Sequence, residues 1–131
     1  MSFTHLLDTH TLIWALADPE RLGEGARATI ESAEQPLVVS AASAWEIATK
    51  VRLGRLPWGE SLVTGFARNV RRLRAQEVQI TAEHALLAGG LDWEHRDPFD
   101  RLLAAQAMLE GWTLVTRDRA FSRLPGITTL W

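Results

Sequence analysis

Residues 37–54 read LVVSAASAWEIATKVRLG, and this stretch decides the fold. The run LVVS (37–40) is apolar and β-branched, the composition of a buried strand. SAASAWEIATKVRLG (40–54) passes straight from it into a helix whose stop is Gly54, because glycine readily takes the left-handed conformation that closes a helix. The same alternation continues on both sides. Upstream, FTHLL (3–7) reads as a short strand and TLIWALADPERL (11–22) as helical until Pro19 interrupts it. Pro19 then heads PERLGEGARATIESAE (19–34), where it fits the first turn of a further helix. Downstream, LPWG (56–59) makes a turn, ESLVTGFARNVRRLRAQ (60–76) an amphipathic helix and VQI (78–80) a short strand. TAEHALLAGGL (81–91) opens with Thr81 and Glu83 near a helix start and closes on a glycine pair. DPFDRLLAAQAMLEG (97–111) is a strongly signalled helix, with Asp97 as N-cap, Pro98 in the first turn and Gly111 at the end. TLVT (113–116) and, after a Pro-Gly turn, ITTLW (127–131) are the last two strands.

Strands separated by helices require crossover connections, so the class is α/β, with a parallel sheet covered by helices on both faces. In such sheets ligands lie beyond the carboxyl ends of strands, near the point where strand order reverses. Asp8 and Asp118 both sit just past strand ends.

A length of 131 residues predicts a single domain, 1–131, able to bury roughly two thirds of its unfolded surface. An apolar content of 47% and a charged content of 23% argue against disorder. MSFTHLLDTH has no basic region ahead of an apolar stretch, and no 18 apolar residues run together, so a cytoplasmic protein with neither signal peptide nor membrane span is expected. The absence of cysteine excludes disulfides, thiolate zinc sites and cysteine nucleophiles. A net charge of −2 speaks against a nucleic-acid partner until its distribution is considered. With Asp8, Glu46, Asp100 and Asp118 set aside as ligands, 12 acidic residues face 14 basic ones, and the remaining surface is mildly basic.

These acids carry the chemistry. Asp8 reads either as the N-cap of the following helix or as a ligand. Glu46 lies among Ala42, Ala44, Trp45, Ile47, Ala48 and Val51, with Ala44, Ile47, Ala48 and Val51 expected on one face. A carboxylate buried there needs a partner, because desolvating a lone charge costs several kcal/mol; the alternative is an exposed pair with Lys50 one turn on. Asp100 shares the stripe of Leu103, Ala104 and Ala107, an acid in a core position, although a first-turn carboxylate also favours the helix dipole. Asp97 is an ordinary N-cap or an assisting ligand, and Asp118 a ligand or the cap of a turn through RAF. Neighbouring strand ends lie about 4.8 Å apart, so Asp8 and Asp118 can share a pocket. Like charges gathered there need a cation, and oxygen donors select Mg²⁺ or Mn²⁺.

Other residues signal less. His5, His10, His84 and His95 form no zinc-type helical pair, and a lone histidine is usually a surface or core residue. No GxGxxG, Walker A loop or GxSxG elbow is present. Arg68, Arg71 and Arg72 form either a phosphate-contacting strip or a solvated face; Arg52 and Arg55, nearer Glu46 in sequence, are the better candidates for binding a substrate backbone. The six tryptophans serve packing first, with base stacking open to Trp14, Trp58 or Trp93.

LLDTHTLIWAL, SAASAWEIATKVRLGRL, HRDPFDRLLAAQA and TLVTRDRAF, in this order and spacing, resemble the PIN-domain nucleases, specifically VapC-type toxins of bacterial toxin–antitoxin pairs. The resemblance covers the whole chain. It implies a three-layer α/β/α sandwich with a mostly parallel central sheet, and Mg²⁺ or Mn²⁺ held by acids. Asp8, Glu46, Asp100 and Asp118 match the four family acids, and Asp97 falls in the DPFDR variant. Thr9 and Ser43 adjoin the acids in supporting positions. The resemblance further implies a homodimer and inhibition by a cognate VapB-type antitoxin.

The expected reaction is hydrolysis of RNA, at single-stranded or loop segments, by a metal-activated water, leaving a 5′-phosphate and a 3′-hydroxyl. A metal-independent ribonuclease using histidine would leave a 2′,3′-cyclic phosphate instead. The non-enzymatic rival is a Mg²⁺-binding regulatory or nucleic-acid-binding domain. A receiver would want paired acids in the first strand–helix turn and a lysine after the last strand, whereas Thr9 follows Asp8 and the last strand has no lysine. A haloacid-dehalogenase-like phosphatase would want a second acid where His10 stands.

Overall fold

The computed structural model describes residues 3–131. Its centre is a five-stranded sheet, parallel throughout, built from β1 (His5–Leu7), β2 (Leu37–Ser40), β3 (Ala75–Val78), β4 (Thr113–Val115) and β5 (Thr128–Leu130). The strand order is β3-β2-β1-β4-β5. Connections run outward from β1 to one side and then return to the other, so strand order reverses between β1 and β4. Leu7 pairs in register with Val39 and with Val115, which brings the carboxyl ends of the three central strands level.

β1 is buried on both faces, as a central parallel strand must be. Alternation sends Leu7, Leu37, Val39 and Val115 to one core with Leu12, Ile13 and Ile47, and Leu6, Val38 and Leu114 to the other with Leu103, Ala104 and Phe121. Each fully buried leucine contributes about 1.5–3 kcal/mol to folding. The helices are α1 (Thr9–Ala17), α2 (Glu24–Glu31), α3 (Ala41–Arg52), α4 (Glu60–Thr64), α5 (Phe66–Arg72), α6 (Ala82–Gly90) and α7 (Pro98–Glu110). They cover both faces, completing three α/β/α layers. Among the described residues no helix is long and apolar enough to cross a membrane.

The structure departs from the sequence reading at four places. Pro19 opens only a 3₁₀ turn, Pro19–Arg21, and α2 starts after Gly23, where Trp131 packs so closely that a Cβ would meet its ring at 2.5 Å. The helix expected over 60–76 is two, broken at Gly65, whose N–H closes α4 on the Ser61 carbonyl at 3.0 Å. Arg74, at φ 57°, then turns the chain into β3. β3 comprises AQEV rather than VQI, because pairing with β2 selects Ala75–Val78 and an edge strand tolerates the polar Gln76 and Glu77. Finally, the buried face of α3 is Ala42, Ser43, Glu46 and Ile47, while Ala48 is exposed. Glu46 therefore lies on the buried stripe itself. The other expected elements form at or within two residues of the expected ends.

Candidate functional site

Asp8 follows β1 at the reversal of strand order. Its Oδ1 accepts the N–H of Thr11 at 2.7 Å, capping α1, and its Oδ2 accepts the hydroxyl of Thr116, just past β4. The N-cap reading of Asp8 is therefore met. Only 4% of the residue is exposed, and burial pushes its carboxyl above the usual range, against the hydrogen bonds from Thr116 and Thr11. Thr116 Oγ1 accepts the N–H of Asp118 at 3.0 Å, so one hydroxyl joins the loops that carry two acids. Asp118 is exposed and caps the 3₁₀ turn Arg119–Arg123 through the N–H of Ala120, at 2.9 Å. Asp8 and Asp118 line one open cleft of ≈ 820 Å³.

The second group of acids stands on α3 and α7. Glu46 is 4% exposed; its Oε2 lies 2.9 Å from Lys50 Nζ, and its Oε1 is buried with no hydrogen-bond partner. Opposite, Asp97 caps α7 by accepting the N–H groups of Phe99 at 2.9 Å and Asp100 at 3.2 Å. Asp100 Oδ2 lies 2.6 Å from His95 Nε2. Burial pushes the Asp100 carboxyl up to about 7; the hydrogen bond and charge of His95 oppose the rise, and the negative charges of Asp97 and Glu46 add to it. Glu46, Asp97 and Asp100 therefore share one electrostatic environment. It adjoins Asp8 through a buried hydroxyl contact, Thr9 Oγ1 to Ser43 Oγ at 3.0 Å, between the first turns of α1 and α3.

Residues 5–127 match the PIN domain family, nearly the whole chain. The chain belongs to the PIN-domain family. It is 35% identical over 131 residues to ribonuclease VapC22 of Mycobacterium tuberculosis, covering 98% of both chains, which gives its VapC kinship. The fold is similar to that in the crystal structure of VapBC2 from Rickettsia felis bound to a DNA fragment from their promoter, with a TM-score of 0.71 and 17% identity over 98% of both chains. It is also similar to DNA-bound VapBC from Salmonella typhimurium, with a TM-score of 0.70 and 21% identity, over 98% of this chain and 97% of that one.

In this PIN domain the expected acids gather as two adjoining groups, Asp8 with Asp118 and Glu46 with Asp97 and Asp100. Among the described residues, the tightest set able to offer ligand atoms to one ion is His95, Asp97 and Asp100, whose candidate atoms lie within 4.8 Å of one another. The carboxylate oxygens suit a hard divalent cation, Asp8 and Glu46 being buried, Asp97 and Asp100 half-buried and Asp118 exposed, and Glu46 Oε1 lacks any partner. Arg52 and Arg55 are exposed and do not line the cleft; Arg117 and Arg119 do. Two residues escaped the sequence reading. Thr116 carried a signal in its place one past Val115, level with Asp8 across the β1–β4 register. His95 carried one in HRDPFD, close enough to Asp100 to meet it once the chain turns into α7.

Proposed function

We propose that this PIN domain is a Mg²⁺- or Mn²⁺-dependent endoribonuclease and the toxin of a toxin–antitoxin pair. The observation that carries the reading is Glu46, an acid on the buried stripe of α3 with one oxygen unpartnered, facing the desolvated Asp100. Lys50 meets only the other oxygen of Glu46, and a divalent cation would compensate the remaining buried charge. The ribonuclease relative supports the substrate class.

Bound Mg²⁺ or Mn²⁺ supplies positive charge for the scissile phosphate and lowers the pKa of a water. Asp8, Glu46, Asp100 and Asp118 hold the ion or ions, with Asp97 assisting. Thr11 and Thr116 fix both oxygens of Asp8, which sets the carboxylate's orientation. Asp100, oriented by its contact with His95 Nε2 at 2.6 Å, accepts the proton of the attacking water. The products carry a 5′-phosphate and a 3′-hydroxyl. RNA is taken as a single strand or loop, a homodimer is the working assembly, and a VapB-type antitoxin restrains it, as the likeness to VapBC complexes supports.

A second reading rests on the caps. Asp8, Asp97 and Asp118 each satisfy backbone N–H groups at a helix start, work that a non-catalytic Mg²⁺-binding or nucleic-acid-binding domain would equally need. Turnover separates the two. Purified protein incubated with single-stranded and structured RNA should cut with MgCl₂ and stop with EDTA, and Asp8→Asn and Asp100→Asn should each abolish cutting while keeping the fold. Cleavage that persists in EDTA, or 2′,3′-cyclic ends, would overturn the proposal.

A further inference from the structure

Arg117 separates Thr116, which bonds Asp8, from Asp118, and lines the cleft the two acids share. Its guanidinium carbon lies 6.0 Å from the centroid of the Trp14 ring. Arg21 also approaches that ring, at 5.9 Å, but its guanidinium is paired with Asp18 at 3.1 Å. Arg117 is exposed and, among the described residues, makes no ion pair. Trp14 is itself held by an edge contact to Trp131 at 5.7 Å and by His10 at 5.9 Å, so the platform under Arg117 is fixed from two sides.

The contact matters because of what it leaves free. A guanidinium held by a carboxylate has its donors consumed; one held on a π-face keeps its N–H fork in its own plane for another ligand. That fork matches two oxygens of a phosphodiester. The cleft is open and leads to Asp8 and Asp118, so a backbone phosphate bound here belongs to the strand whose neighbouring linkage faces the acids. Arg52 and Arg55 lie outside it.

We propose that Arg117, held on Trp14, is the clamp for an RNA phosphate flanking the scissile one. The inference rests on the endoribonuclease reading, and its test is separable from it. A uniform contact of this kind strengthens binding without entering the bond-breaking step.

The test measures anisotropy of a 5′-labelled single-stranded RNA with the full chain in EDTA, across a range of NaCl, so that no turnover contributes. Arg117→Gln should weaken binding about tenfold, the effect of one charge-assisted contact, and lower the salt slope by about 0.7, one phosphate's share on a single strand. Arg117→Lys, with the charge and without the fork, should fall between. With MgCl₂, Arg117→Gln should raise KM and leave kcat near the parent value. Trp14→Phe, keeping an aromatic face, should bind closer to the parent than Trp14→Leu. A dissociation constant and slope unchanged in Arg117→Gln, with melting temperature preserved, would overturn the clamp while a parent protein that still cuts RNA upholds the nuclease reading. A parent that binds RNA through Arg117 but never cuts would do the reverse.

Discussion

His95 Nε2 lies 2.6 Å from Asp100 Oδ2, and the contact pulls the Asp100 carboxyl down against the burial that raises it to about 7. Removing the imidazole should therefore leave Asp100 harder to ionise. In His95→Ala the acid limb of the pH–kcat profile should move to higher pH, with activity at pH 6 falling more than activity at pH 8. A limb that stays in place would show that Asp100 does not control it.

The same carboxyl links stability to pH. In the unfolded chain Asp100 titrates near 3.8 and in the folded protein near 7, so between these values the folded state holds the extra proton. Stability contributed by the protonated form is complete below about pH 4 and is lost as pH rises to about 7. Asp8, also raised by burial, acts in the same direction; His5, lowered by burial, acts oppositely by losing stability below its ordinary value of 6.5. In EDTA the melting temperature should fall from pH 5 to pH 8, and the fall should shrink in Asp100→Asn. Added Mg²⁺ should stabilise more at pH 8 than at pH 5, since it binds the ionised acids.

Among the described residues, Lys50 is the one cation in contact with Glu46, at 2.9 Å. Lys50→Met should leave Glu46 as an uncompensated buried charge and destabilise the metal-free protein by about 1–3 kcal/mol in urea unfolding. Mg²⁺ should recover part of the loss. Glu46→Gln should cost less in EDTA, and should remove much of the stabilisation that Mg²⁺ brings.

Arg101 gathers the loop that carries His95. Its guanidinium donates to the carbonyls of Ala88 at 2.8 Å, Leu91 at 2.7 Å, and Trp93 and His95 at 2.9 Å each. Arg101→Ala should destabilise the fold by about 3 kcal/mol through partly buried carbonyls left without donors. Amide exchange should accelerate most over residues 91–97. Arg101→Lys should not restore protection, because an ammonium cannot span four carbonyls in a plane.

How legible each part was in the sequence follows from the range of the interaction that makes it. α7 could be bounded at both ends because Asp97, Pro98 and Gly111 act on their own turns, Gly111 adopting φ 71°. β3 and the break at Gly65 were not legible. The first depends on pairing with Leu37–Ser40, and the second on a glycine that interrupts an otherwise helical pattern. Glu46 could be marked as an anomaly among apolar neighbours, but the face expected to be apolar, Ala44, Ile47, Ala48 and Val51, is one position off the stripe that α3 buries.

The order of residues by itself determined the α/β alternation and the helix caps, because hydrophobic periodicity and capping chemistry act within a few residues. Only the tertiary structure decided that Thr116 meets Asp8 across 108 positions, that Thr9 meets Ser43 across 34, and that Arg117 rests on Trp14. Those contacts arise when parallel pairing levels the ends of β1, β2 and β4 and excludes water from the carboxylates between them. That exclusion raises the Asp8 carboxyl above the usual range, because burial penalises its charged form.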